Sequence, residues 1–179
     1  MQERFTPGTR LATFMPMIEA ASGLTLAQVC AITGLEPYTV QNWVKRGFVA
    51  RPVDKKYFGR QLARLMLISS IKDCMNIDTI GELMSMINGS ANDESDDIIS
   101  EELLYDHFCN VISALPPAAV EEDILRQVVA ATMDYEPPGP GALDRLQNAL
   151  TVMALAYISG QYKRKAEKYF TDMKLERIN

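Results

Sequence analysis

Cysteine, histidine and tryptophan are scarce in this chain of 179 residues, with three, one and one copies respectively. Cys30, Cys74 and Cys109 are odd in number, far apart and never in a C-x-x-C pair, which excludes a disulfide framework and a zinc site built on paired cysteines. A helix would send His107 and Cys109 to different sides, so they do not form a metal pair, and all four read as packing residues. One histidine leaves no catalytic constellation to build, so no catalytic residue, metal or cofactor is expected and an enzyme is disfavoured. No apolar run approaches the ~20 residues needed to cross a bilayer, and MQERFTPGTR lacks the apolar block of a signal peptide. The expected setting is the cytoplasm, away from membranes.

Net positive charge is missing as well, for the formal balance is −5. That sum conceals a split. Residues 1–90 hold ten Lys and Arg against seven Asp and Glu, whereas residues 91–179 hold eight against sixteen. The cations concentrate between positions 45 and 64, where Lys45, Arg46, Arg51, Lys55, Lys56, Arg60 and Arg64 meet one acid, Asp54. A local cationic patch on an acidic protein reads as a defined polyanion footprint rather than general stickiness. A hydrophobic content of 47% is ample for a packed core.

Residues 9–21 carry Leu11, Phe14, Met15, Ile18 and Ala21 at helical spacing around Pro16, which predicts a short or kinked bracing helix, or an arm and a single turn. Thr25 and Gln28 have the spacing of a capping box, and Leu24 with Val29 that of a hydrophobic staple, so a helix starts after Thr25. Gly34 is able to end it in the left-handed conformation, and Pro37 opens a second helix over 37–46. At about 100° per residue, Val40, Trp43 and Val44 fall on one side of that helix. Tyr38, Asn42 and Lys45 point opposite, flanked by Thr39, Gln41 and Arg46. Such amide, hydroxyl and cationic groups suit base edges and phosphates in a major groove, although the solvated face of an ordinary helix pair has the same composition. In residues 47–59, Phe48 and Val49 read as a short strand, Pro52 and Asp54 as a turn, and Tyr57-Phe58 as the return. This predicts a stubby wing with Arg51, Lys55 and Lys56 near its tip. Arg60 and Arg64 stand one turn apart on the next helix and share a face.

Taken together, these residues resemble the DNA-binding head of the MerR group of bacterial regulators, a winged helix-turn-helix. The group's glycine, apolar residue, proline, threonine, aromatic and closing glycine are matched by Gly34, Leu35, Pro37, Thr39, Trp43 and Gly47. Its tyrosine after the wing and its apolar helix are matched by Tyr57, Leu62, Leu65 and Ile68, and its late segment by Asn76, Ile77, Ile80, Leu83 and Met84. The tryptophan followed by Lys-Arg-Gly and the clipped wing look more narrowly like a Firmicutes family of MerR-like domains of unknown function. The likeness spans residues 24–88. It implies double-stranded DNA as the partner, with base or backbone contacts from Tyr38, Thr39, Gln41 and Asn42. Phosphate contacts are implied for Lys45, Arg46, Arg51, Lys55 and Lys56, with Tyr57, Arg60 and Arg64 completing the DNA-binding set. Relatives often have arginine and tyrosine at the places of Gln41 and Asn42, which implies a weaker grip and a different sequence preference here.

Helices are expected over 60–76 and 77–88, after which NGSANDESDD interrupts with polar and acidic residues. The predicted organisation is an all-α protein. A winged helix-turn-helix head with a very short β wing fills 1–88, an acidic linker 89–97, and a C-terminal helical bundle 98–179. In the last of its three helical segments, Leu143, Leu146, Leu150, Met153 and Tyr157 keep 3-4 spacing and are the expected dimerisation stripe, a pattern that a helix inside a bundle also shows. Gly160 breaks that stripe, and Tyr162, Ala166, Tyr169, Phe170 and Met173 continue an amphipathic face. Tyr105, Phe108, Tyr135 and Tyr157 either line an effector cavity or belong to the core. The expected function is a sequence-specific DNA-binding transcriptional regulator acting as a homodimer. The alternative is a helix-turn-helix-shaped adaptor for other proteins that does not bind DNA.

Overall fold

Short polar side chains set the helix starts. Thr25 accepts the Gln28 amide at 3.3 Å while the Gln28 side chain accepts the Thr25 amide at 2.8 Å, a complete capping box. Asn76 accepts from the Thr79 amide and Ser100 from the Leu103 amide in the same manner. In the computed structural model, which describes residues 10–13 and 15–176, these caps open helices of an all-α chain. A 3₁₀ turn at Leu11–Thr13 precedes α1 (Met15–Ala20), whose first turn tolerates Pro16 because no N–H is needed there. There follow α2 (Leu26–Thr33), α3 (Pro37–Lys45), α4 (Gly59–Ile71) and α5 (Ile77–Asn88). The second half contributes α6 (Glu101–Ala114), α7 (Glu121–Ala131) and α8 (Ala142–Glu176). Thr9 and Phe14 of the bracing segment lie outside the described residues, while Leu11 and Ile18 are fully buried.

The expected strand pair of a wing does not form. Among the described residues there is no strand, only two isolated antiparallel bridges, Leu24 with Tyr57 and Val53 with Lys56. Phe48 and Val49 instead turn their amides back onto the Trp43 carbonyl, at 2.9 and 3.4 Å, and so close α3.

Helix α4 is the centre of the molecule. Leu62, Leu65, Met66, Ile68 and Ile71 are all buried, and so are Ala63 and Leu67 on the other sides of the helix. The cause is that α2, α5, α6 and α8 all pack against α4, so that it has almost no solvent side. One apolar cluster runs without a gap from Leu11 to Ala156 and therefore through both halves. Residues 89–97, expected as a linker, are pinned to the first half. The Asn92 side chain accepts from the Arg51 amide at 3.0 Å, and the Ile98 amide bonds the Ile87 carbonyl at 3.3 Å.

Helix α8 has 35 residues and continues straight through Gly160. Leu146, Leu150 and Met153 are fully buried against α5, α6 and α7, each stabilising the fold by about 1.5–3 kcal/mol. The stripe expected to join two subunits thus belongs to the chain's own core, with Leu143 and Tyr157 half-buried at its ends. Beyond Gly160 every residue from 161 to 175 is exposed. Among the described residues no helix is long and apolar enough to cross a membrane.

Candidate nucleic-acid interface

The geometry of α3 follows from the residues that bound it. Gly34 ends α2 at φ 69°, where its amide bonds the Cys30 carbonyl, and buried Leu35 anchors the reversal. Pro37 then occupies the first position of α3 after an extended Glu36. At the other end Gly47 adopts φ 79°, its amide bonds the Val44 carbonyl at 3.1 Å, and the Phe48 amide bonds the Trp43 carbonyl. This pair of bonds is a Schellman motif, which ends the helix sharply and aims the chain away from its axis.

Held in this way, α3 buries Val40 and Trp43 and leaves Val44 half-buried. Tyr38 is 77% exposed, Gln41, Lys45 and Arg46 are exposed, and Thr39 and Asn42 are partly so. Six of the residues expected to meet DNA therefore share the solvent side of one rigid helix. After α3, residues 53–56 form a tight two-residue turn. Asp54 and Lys55 both have positive φ, 48° and 62°, and Val53 and Lys56 exchange backbone bonds of 3.0 and 2.8 Å, the geometry of a type I′ turn. Arg51 and Lys55 are exposed and Lys56 partly so. The Gln61 side chain fixes the approach to this turn by donating to the Arg51 carbonyl at 3.1 Å.

Three expected contacts must be withdrawn. Tyr57 is 4% exposed and exchanges backbone bonds of 2.7 and 2.8 Å with Leu24, so its ring is core and out of reach of a duplex. Arg60 and Arg64 do share a face, but that face turns inward. Arg64 is 3% exposed, paired with the equally buried Glu101, and its Nε donates to the Phe48 carbonyl at 3.0 Å. Arg60 pairs with Glu94 and lies 3.7 Å from Asp97. The acids of the second half, counted from sequence as a separate charge block, thus neutralise two of the seven cations.

Arg46 stays at the surface, tied to Asp78 at the start of α5, with its guanidinium 4.6 Å above the Phe48 ring. Lys45, Arg51, Lys55 and Lys56 make no ion pair with the described residues. The partners Asp78, Asn88, Glu101 and Phe48 escaped the sequence reading. Asn88, wholly buried, donates to Glu101 at 3.2 Å. One signal was available. Gly81 sits inside an otherwise regular helix, and a Cβ there would come within 2.5 Å of the Phe48 ring, so the glycine marks where the end of α3 rests on α5.

Burial, opposed by Arg60 and aided by Glu101, Glu94 and Asp96, raises the Asp97 carboxyl to about 6. Tyr105 and Phe108 are fully buried, and Tyr135 donates to the Ile98 carbonyl at 2.6 Å. These aromatics are therefore packing residues. Tyr157, edge-on to Phe108, alone of the four borders an open groove of about 530 Å³ between Leu115, Pro116 and α8.

With this geometry in place, comparison with known proteins is informative in one direction. An uncharacterized protein, YkrK, of Bacillus subtilis (strain 168) is 29% identical over 94 residues, which is 50% of this chain and 40% of that protein. The chain therefore spans less than half of that relative's length. No solved structure matches. Residues 23–108, the unit running from the capped helix pair through the turn, α4 and α5 into α6, match the model of a family described as a domain of unknown function (DUF1836).

Proposed function

We propose that the chain is a sequence-specific DNA-binding transcriptional regulator, with α2 and α3 acting as a MerR-like helix-turn-helix whose wing is reduced to the turn at 53–56. In this reading α3 lies in the major groove. Tyr38, Thr39, Gln41 and Asn42 meet base edges or the adjoining backbone, and Lys45, Arg46, Arg51, Lys55 and Lys56 hold phosphates. The observation that carries the reading is the division of α3. Val40 and Trp43 are committed to the core, so the exposed amide, phenol and ammonium groups opposite them are not needed for folding.

The inward turn of Arg60 and Arg64 leaves a modest grip. With Arg46 tied to Asp78, the four cations of this patch that make no ion pair with the described residues, Lys45, Arg51, Lys55 and Lys56, imply that the logarithm of affinity falls against the logarithm of salt with a slope of about −3 to −4 per chain. The test is selection of duplexes from a random pool by the full chain, followed by titration at several salt concentrations. Enrichment of one motif and a slope of that size are expected, both weakened in a Lys45→Ala, Lys55→Ala, Lys56→Ala variant. Recovery of no motif, with residual binding indifferent to the three substitutions, would shift the reading to a protein-interaction adaptor. The acidic balance of −5 already suits that alternative.

A further inference from the structure

Helix α8 has two stripes at helical spacing: Leu146, Leu150 and Met153 are buried in the core, and Tyr162, Tyr169 and Met173 are exposed. Ile158, Gln161, Lys165 and Lys168 follow one another at steps of three and four on a third face, between the two. That face is one wall of the groove of about 530 Å³. The end of α6 and the connection after it form the opposite wall. There the Leu115 amide closes α6 on the Ile112 carbonyl at 3.4 Å, Pro116 and Pro117 fix the backbone, and the Ala119 amide bonds the Pro116 carbonyl at 3.1 Å. Half-buried Ile112, Leu115, Tyr157 and Ile158 make the inner end of the groove apolar.

The outer end is cationic. Lys165 and Lys168 line it and make no ion pair with the described residues, whereas their neighbours Lys163 and Arg164 are held by Asp73. Among the described residues no carboxylate lines the groove, so nothing within it answers these two charges. We propose that the groove is a binding site for an amphipathic carboxylate, its apolar body on Leu115 and Ile158 and its head between Lys165 and Lys168. The volume suits a small molecule, for ligand pockets occupy about 300–1,000 Å³. At about 1.5 Å per residue, Ile158 and Lys165 stand about 10 Å apart along α8, which sets the length of the body. Charge sets the sign of the head: an ammonium would meet two like charges, and an alcohol would leave both unanswered. Every residue of the groove lies beyond residue 108, outside the stretch that matches the family, and the site does not depend on the DNA-binding reading.

Isothermal titration calorimetry of the full chain with decanoate, kept below its micelle concentration at neutral pH, tests the proposal. Saturable one-to-one binding is expected, with decanol and decylammonium weaker by about tenfold or more. Lys165→Ala with Lys168→Ala should raise the decanoate dissociation constant about tenfold at an unchanged Tm, because both side chains are exposed. Ala119→Trp, which fills the groove from its loop wall, should abolish binding. Deuterium exchange should show decanoate protecting amides in residues 112–119 and 157–168. Absence of saturable decanoate binding, or protection confined to other residues, overturns the site. Equal affinity for decanol, or an affinity indifferent to loss of both lysines, overturns the carboxylate.

Discussion

Arg64 carries the same charge as Lys55 and does different work. Enclosed with Glu101 and bonded to the Phe48 carbonyl, it joins α4, the start of α6 and the end of α3. Removing one member of a buried pair strands the other, which costs about 3–5 kcal/mol, whereas apolar replacement of both can be close to neutral. Arg64→Ala is therefore expected to lose about that much stability in urea unfolding, and the Arg64→Met, Glu101→Leu pair to recover most of it. Lys55→Ala should leave the unfolding midpoint in place and, under the proposed function, weaken duplex binding uniformly and reduce its salt slope by about 1. Asp97 offers a second residue-level test. A carboxyl raised in the folded state favours the fold while protonated. That contribution is complete below the ordinary value of 3.8 and disappears as pH climbs through about 6. Asp97→Asn, uncharged throughout, should gain in Tm over wild type as pH rises from about 4.5 to about 7 and then level off. A difference that stays flat with pH would remove the buried carboxyl from the account.

At the scale of elements, the end of α3 rests on a contact that a helix-propensity argument would overlook. Replacing a mid-helix glycine by alanine ordinarily favours a helix by about 1 kcal/mol. In α5 the new methyl of Gly81→Ala would meet the Phe48 ring, whose backbone is fixed by Arg64. A lower Tm is expected despite the better helix former and, under the proposed function, weaker duplex binding as the Schellman closure shifts. The ends of α2 and α3 were legible in the sequence because their signals are local: Thr25 with Gln28, Gly34 and Pro37 each act within one turn, whereas the helix expected to run to Asn76 stops at Ile71 and Asn76 caps α5 instead. The partners of Arg60 and Arg64 were not legible, because a cation's neighbour is set by how distant helices pack. Tyr57 was misplaced for the same reason, since its bridge to Leu24 crosses the chain. In α8 both stripes obey helical spacing, and only the position of α6 and α7 decides which of them faces inward.

For the whole molecule, the two halves that differ in charge are not separate bodies. The acidic segment 89–97 folds back and takes Arg60 out of the cationic patch, while Glu101 takes Arg64. Shielding of this kind predicts that the formal charge split overstates the electrostatic reach of the first half. Under the proposed function, Glu94→Gln, at an exposed acid, should therefore strengthen non-specific duplex binding at low salt by loosening Arg60, without altering the preferred motif.

The exposed length of α8 has one last consequence, which concerns time. Isolated helices shorter than about 12–15 residues are marginal in water, and residues 161–175 bury no side chain, being held to the rest of the chain by the bonds of Lys163 and Arg164 to Asp73. Their amide hydrogens should trade with deuterium orders of magnitude faster than those at Leu146, Leu150 and Met153, in the dry centre of the same helix. One continuous helix therefore holds both a fixed reference and a segment that opens and closes on its own, and exchange read amide by amide should place the break near Gly160.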